Sequence, residues 1–304
     1  MVDRPFGKIG KIMIKGVLFS VTASFLFGVV YFLSTVLRPI EGAQLFGIRT
    51  LVTLPFVLFA MLLLKKRQEF IAYLKRLKNQ PHLIAIVAFG GLNMGSQMWL
   101  FLYAPVSGKA IEVSIGYLLM PLVMVLFGRL FFKERLTTIK LLAVLFALLG
   151  VLSKIVLTGA FSWETAFVCI GYPVYFAVRK HFDMLHLSAF TMEMLVMVPV
   201  SWYFTSQIDF AFAELHNPNI YWGLFLLGLV GGTAFILYVT ASQILPINLL
   251  GLLGYLEPFT MLVVSFIIGE RLDHTSYVLM GCLFAAIGLL ILDGIMGRRA
   301  KLAY

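Results

Sequence analysis

The chain has 304 residues, of which 61% are hydrophobic and 12% charged, and its mean hydropathy is +0.97. That balance leaves too little polar surface to cover a water-soluble globule, so the chain reads as an integral membrane protein. Its net charge of +10 sits in short segments between apolar runs, the pattern of a topology signal, and nucleic acid is set aside as a partner.

A basic lead of Arg4, Lys8, Lys11 and Lys15 precedes an apolar run that continues to Leu37, too long for a signal-peptide core and so read as a retained first helix. A spanning helix needs about 20 mainly apolar residues, because the hydrocarbon core is about 30 Å thick. Ten stretches meet that need. In chain order they are Lys15 to Leu37, Ala43 to Leu64, His82 to Ala104, Ala110 to Phe132 and Thr137 to Leu157, then Ser162 to Lys180, Leu187 to Ser206, Ile220 to Ile244, Ile247 to Gly269 and His274 to Ile295. The sixth and seventh are interrupted by Glu164, Arg179 and Glu193. Cysteines Cys169 and Cys282 each lie inside an apolar run, as buried small hydrophobes do.

Ten spans put both termini on one side, and nineteen Lys and Arg residues fall on that side against four (Arg38, Lys109, Lys154, Arg271) on the other. The positive-inside rule then places both termini in the cytoplasm.

The stretches from Lys109 to Leu152 and from Leu253 to Leu292 share a Gly-Tyr opening, a mid-run proline, a Glu-Arg-Leu hairpin and a closing glycine. Gly116 to Gly150 and Gly254 to Gly288 each cover 34 positions, although the hairpin acid lies 18 positions in for Glu134 and 16 for Glu270. Gly91-x-x-x-Gly95 in span three and Gly228-x-x-x-Gly232 in span eight also correspond, as do Pro55 and Pro199 in spans two and seven. A duplicated unit of five spans enters the membrane upside down the second time, so the expected fold is all-α integral membrane, with ten transmembrane helices as two inverted five-helix repeats, 15–157 and 162–296.

A charge at the bilayer centre costs about 2.5–3.5 kcal/mol on insertion scales and usually faces a cavity. Of the ionisable residues within spans, four are singled out: Arg49, Glu112, Glu193 and Glu257. Arg49 and Glu112 share the outer end of their half and are expected either to pair or to snorkel to the interface. Glu193 falls toward the cytoplasmic third of span seven, where a solvated contact is expected. Glu257 is the most central, directly before Pro258, and stands opposite Met120 and Pro121 in the other copy. It is a candidate for proton coupling or for facing a substrate amine, against a structural role as a protonated hydrogen-bond donor. Asn93, Trp99, Tyr117, Tyr172, Tyr175 and Tyr255 complete the expected substrate cavity, an aromatic, weakly charged lining suited to amphiphilic or aromatic solutes. Pro121 and Pro258 are expected to be paired hinges, the alternative being bends needed for packing.

These residues resemble the drug/metabolite transporter superfamily, and within it proteins with two EamA-type repeats. Leu92 to Leu136, with Leu-Asn in span three, KAIEVSIGYLLMPL and KERL, resembles the RarD-like branch, and the Val178-Arg179-Lys180 end of span six is similar too. Span nine departs from that branch with GYLEP, closer to the general EamA pattern, and Met94 stands where an aromatic follows the asparagine. The resemblance implies a permease of the bacterial inner membrane, usually an exporter of small metabolites or drugs.

The sequence carries no GxxxxGK[ST] phosphate loop, no G-x-S-x-G and no H-E-x-x-H, so it is not read as an enzyme or an ATP-driven pump. No cofactor is expected. The five histidines lie at span ends or in loops without ligand-like clustering, so no metal site is expected either. The expected partners are a small-molecule substrate, the lipid bilayer and, in one reading of Glu257, protons. Two rival functions stand beside secondary transport by alternating access: a flippase for lipid or isoprenoid carriers, and a polytopic scaffold or sensor.

Overall fold

A computed structural model describes residues 6–133, 136–245, 249–250 and 253–302. Twelve helices are defined among them. They are α1 (Phe6–Val36), α2 (Gly42–Leu63), α3 (Arg67–Asn79), α4 (His82–Ser107), α5 (Ala110–Phe132), α6 (Thr138–Thr158), α7 (Trp163–His181), α8 (Leu187–Ser206), α9 (Phe210–His216), α10 (Ile220–Ile244), α11 (Leu256–Ile267) and α12 (Ser276–Leu302). Glu134 of the first hairpin and positions 246–248 and 251–252 of the ninth predicted span lie outside the described residues.

Eight of these helices are long and apolar enough to cross a bilayer: α1, α2, α4, α5, α6, α8, α10 and α12. Helix α7 has 19 residues but carries Glu164, Arg179 and Lys180, and α11 has 12. The helix ends follow local chemistry. Thr137, Ser162 and Asp209 cap α6, α7 and α9 by accepting backbone N–H bonds from Lys140, Thr165 and Phe212 at 3.2, 3.3 and 2.9 Å. Gly108 and Gly159, at φ +69° and +71°, end α4 and α6 in the left-handed conformation that glycine adopts without strain.

Small residues set how closely the helices pack. A Cβ on Gly232 of α10 would lie 2.4 Å from the Phe56 ring of α2, and one on Gly95 of α4 would lie 2.5 Å from Met197 Cε of α8. Both glycine pairs read from the sequence are therefore contact faces, one toward α2 and the other toward α8. Helix α1 packs on α10 and α11, α2 on α8 and α10, α4 on α7 and α8, α5 on α7 and α11, and α6 on α12. Large apolar side chains stay exposed on the outside, with Val156 81%, Leu130 70% and Trp202 67% accessible, a surface suited to lipid rather than water.

Helix α3 differs from the spans. It buries Tyr73 and Leu77 against Leu83 and Met184 and presents Lys75 and Lys78 outward. Arg76 ties it to the α7–α8 turn by donating to the carbonyls of Phe182 and Asp183 at 2.8 and 3.2 Å.

The two prolines expected to act as a matched pair are not equivalent. Pro121 lies inside the unbroken helix α5. Pro258 lies in the first turn of α11, where no backbone N–H is needed for the helix ladder. Just before it Leu253 is helical and Gly254 and Tyr255 form a turn, so the chain is broken beside Glu257.

Candidate functional site

A cavity of about 520 Å³ runs into the bundle between α2, α4, α5, α7, α8, α10 and α11. Its mouth lies at the end of the bundle formed by the start of α3 (Lys66, Glu69), the turn before α8 (Leu185, His186) and the end of α10 (Ser242, Gln243). Its inner part is lined by Arg49, Phe101, Tyr117, Tyr172, Glu257 and Pro258. Met94, Met98, Met120 and Met194 share the walls with Phe27, Phe176, Phe190 and Phe235. Thioethers and rings make walls that are apolar yet adapt in shape.

Arg49 is 8% accessible, and its guanidinium carbon sits 4.8 Å from the centre of the Phe101 ring. One terminal nitrogen, Nη1, has no hydrogen-bond partner. Glu257 reaches the same cavity from the first turn of α11, and it and Arg49 form no ion pair. In the same cavity, the hydroxyls of Tyr117 and Tyr172 are hydrogen-bonded to each other at 2.9 Å. Their rings are tilted, with centroids 5.4 Å apart.

Of the residues singled out from sequence, the cavity brings together Arg49, Tyr117, Tyr172, Tyr175, Glu257 and Pro258. Asn93, Trp99, Tyr255 and Pro121 are not among its lining residues. Asn93 instead looks toward Gly171 of α7, its Oδ1 buried and unpartnered. Trp99 stacks on Tyr103 and Trp163, with centroids 5.0 and 6.5 Å away, on the opposite side of α4. Tyr255 packs beside the apolar cluster formed by α5, α6 and α12, with its hydroxyl buried and unpartnered.

The expected pairing of Arg49 with Glu112 does not occur. Arg49 turns inward over Phe101, whereas Glu112 is one-third accessible and lies 3.9 Å from Lys109 Nζ. Glu193 also departs from its expected solvated setting. It is 1% accessible, accepts a hydrogen bond from the Tyr175 hydroxyl at 2.6 Å and lies 3.5 Å from Arg179 Nε. Arg179, which interrupts the end of the predicted sixth span, is 7% accessible and donates to Tyr175 Oη at 2.5 Å and to the carbonyls of Met184 and His186. Long side chains from α7 and α8, helices joined by a short turn, bring these opposite charges together. That spacing, with Tyr175 and Arg179 four apart on one helix face, was the available signal.

His186 at the mouth is held below its ordinary pKa by burial and by the Arg179 charge, and its Nδ1 accepts from Ala189 N–H at 3.1 Å.

At the opposite end of the bundle, around a second hollow of about 280 Å³, the two halves are tied by hydrogen bonds that sequence reading missed. Glu270, in the hairpin after α11, accepts from the N–H groups of Ala110 and Ile111 at 2.8 and 2.7 Å. Lys154 Nζ at the end of α6 donates to Asp273, Thr275 and Ser276 at 2.6, 2.9 and 2.8 Å. Ser114 and Ser265 meet at 3.3 Å in the buried layer beneath. Among the described residues no group of His, Cys, Asp or Glu is arranged to hold a metal ion.

Comparison with known proteins follows the same outline. The model of the EamA-like transporter family matches twice, at residues 14–154 and 153–292. An uncharacterized transporter of Haemophilus influenzae is 51% identical over 292 residues, covering 96% of this chain and 98% of its own length. The chloramphenicol-sensitive protein RarD of Pseudomonas aeruginosa is 36% identical over 254 residues, covering 83% of this chain and 84% of its own length. Protein RarD of Escherichia coli is 24% identical over 290 residues, covering 94% and 96%. A solved crystal structure, 16% identical, aligns over 92% of this chain and 98% of its own with a TM-score of 0.55, which shows a shared fold. With both halves matched and RarD proteins among its homologues, the chain is a membrane transporter of the EamA-like family, within the drug/metabolite transporter superfamily.

Proposed function

We propose that this protein is a secondary transporter of ten spans in two inverted repeats, which exports small amphiphilic or aromatic solutes from the cytoplasm by alternating access. The observation that carries the reading is the cavity of about 520 Å³, which reaches buried Arg49 and partly buried Glu257 from one end of the bundle, while hydrogen bonds tie the halves together at the other. Counting α7 and α11 as spans adds two to the eight helices that qualify by length and hydropathy. The helix contacts support the inverted relation. Exchanging the halves turns α1 on α10 into α7 on α4, α5 on α7 into α11 on α1, and α4 on α8 into α10 on α2, all of which occur. A helix broken beside the site is also typical of transporters built from inverted repeats.

The orientation follows from charge. Lys65, Lys66, Arg67, Lys75, Arg76 and Lys78 cluster at the mouth end, which favours the cytoplasmic face of the inner membrane for that end and both termini. The state described is then open to the cytoplasm and closed outside, ready to load an exported solute.

The test is reconstitution in proteoliposomes of a solute found by thermal-shift screening, since a ligand present at about 100 times its Kd adds about 2.7 kcal/mol to the folded state. Replacing Tyr172 by Trp fills the inner cavity. Flux should fall at least tenfold while the melting temperature holds. Unchanged flux in a folded variant removes the cavity from the transport route, whereas no flux of any bound solute in the unaltered protein returns the scaffold reading.

A further inference from the structure

We infer that α3 is an in-plane surface helix that binds the anionic phospholipids of the leaflet beside it, and that this binding steadies the mouth of the cavity. The inference asks only that the chain spans a bilayer, and it holds whichever solute is carried. Helix α3 stands between α2 and α4, both long and apolar enough to span, and is joined to them by Leu64 to Lys66 on one side and by Gln80 and Pro81 on the other. Linkers of two or three residues reach at most about 7–11 Å, so α3 stays at the headgroup layer. The lipid-suited surface runs up to both joints, since Leu62 and Leu63 just before α3 and Ile84 just after it are exposed.

With about 3.6 residues per turn, the side chains of α3 divide between two faces. Glu69, Tyr73, Arg76 and Leu77 share the packed one, where Tyr73 and Leu77 are buried and Arg76 donates to the carbonyls of the α7–α8 turn. The opposite face carries Arg67, Ile71, Leu74, Lys75 and Lys78, all exposed, with Ile71 42% and Leu74 40% accessible and no acid among them. A face turned to water gains nothing from two bare aliphatic side chains, and a face turned to hydrocarbon does not tolerate three cations. Basic groups interleaved with apolar ones fit the boundary between the two, where the cations meet lipid phosphates and the aliphatic side chains enter the acyl layer. Each Lys or Arg near an anionic surface strengthens the attachment about fivefold. The packed face carries the effect to the mouth. Glu69, paired with Lys66 at 2.8 Å, lines the mouth; the Tyr73 ring meets the His186 ring edge-on at 4.8 Å; and Arg76 holds the turn that leads into α8. Lipid that fixes α3 thereby fixes the turn and the mouth residues attached to it.

The test is amide hydrogen exchange of the purified full chain in nanodiscs, one set of phosphatidylcholine alone and one of phosphatidylcholine and phosphatidylglycerol in equal parts. Phosphatidylglycerol should slow exchange at least tenfold in α3 and in the α7–α8 turn, and leave the buried amides of α5 unchanged. Replacing Arg67, Lys75 and Lys78 together by Gln should remove the difference between the two lipids. Lys75→Arg with Lys78→Arg should keep it, because charge rather than side-chain shape is read. Arg76→Gln should keep the lipid effect on α3 and remove it from the turn. Equal exchange in the two lipids by the unaltered protein overturns the inference without recourse to any variant, and returns the basic face to water or to an acidic soluble partner. A lipid effect that survives the triple Gln replacement overturns the assignment to this face, and protection of α3 without the turn overturns its link to the mouth. Flux in proteoliposomes bears on the transporter reading alone.

Discussion

Glu270 caps the helix that begins at Ala110: its carboxylate, 160 positions further along the chain, accepts the Ala110 N–H at 2.8 Å and the Ile111 N–H at 2.7 Å. The local N-cap of α5, Lys109, supplies no side-chain acceptor. The first turn of a first-half helix is thus completed by the hairpin of the second half, at the end away from the cavity mouth. For an alternating-access protein, this is a bond that must break when that end opens.

Removing the cap should therefore do two things. Glu270→Ala should cost about 1–2 kcal/mol, the usual loss when helix N–H groups are left without an acceptor. It should also admit an impermeant thiol reagent from outside to a cysteine placed at Ser114, which is fully buried. A second substitution, Lys109→Ser, offers α5 a local cap. If Glu270 were only a cap, that change would restore both stability and protection. If Glu270 holds the outer end shut, stability returns in part and labelling stays high.

The Arg179, Tyr175 and Glu193 cluster makes a different kind of prediction. With side chains 8% and 1% accessible, Arg179 and Glu193 are a buried pair, and removing one leaves the other uncompensated. Glu193→Ala or Arg179→Ala should each lower stability by about 3–5 kcal/mol. The double replacement by methionine should cost less than either single change, because no unpaired charge remains. Thermal melts of the purified variants decide it. A double variant worse than both singles would show that the cluster contributes more than mutual neutralisation.

Glycine substitutions separate packed from lipid-facing positions. Gly232→Ala forces a methyl to within 2.4 Å of the Phe56 ring and should cost about 1–3 kcal/mol by overpacking. Gly281→Ala meets nothing within 4 Å and should be neutral or raise stability by up to about 1 kcal/mol through helix propensity. A reversed order of melting temperatures would contradict the α2–α10 contact.

At the hairpin after α11, the Lys154 ammonium holds the Asp273 carboxyl well below its ordinary value, assisted by bonds from Ser276 and Thr275 and opposed by partial burial. A depressed carboxylate stabilises the fold above its unfolded pKa of 3.8 and loses that contribution as pH falls through the lower folded value. Asp273 is 58% accessible in its side chain, so solvent screening keeps the pair below about 1 kcal/mol. Asp273→Asn should lower the neutral-pH melting temperature slightly and flatten the fall seen below pH 3.8. An unchanged acid limb would show that the pair adds nothing to stability.

The sequence by itself determined that the chain lives in a membrane, that its two halves are copies, and that Tyr117, Tyr172 and Glu257 are worth attention. These are local properties. A run of about 20 apolar residues marks a span whatever its neighbours, and a repeat is visible as spacing. Only the tertiary structure decided which way each polar group faces. Inside a span that is apolar on every side, periodicity does not mark an inward face. Arg49 and Glu112, both near the outer ends of their spans, therefore read alike, although one lines the cavity and the other sits beside Lys109 at the surface. Asn93, Trp99 and Tyr255 looked as suitable as Tyr172 for the same reason, yet α4 turns Asn93 toward Gly171 and Trp99 toward Trp163. Glu193 and Arg179 read as interfacial because charge near a span end usually reaches water, yet in the fold the two are buried and joined through Tyr175. Rotation about a helix axis is set by the partners that cover it, and those partners come from distant parts of the chain.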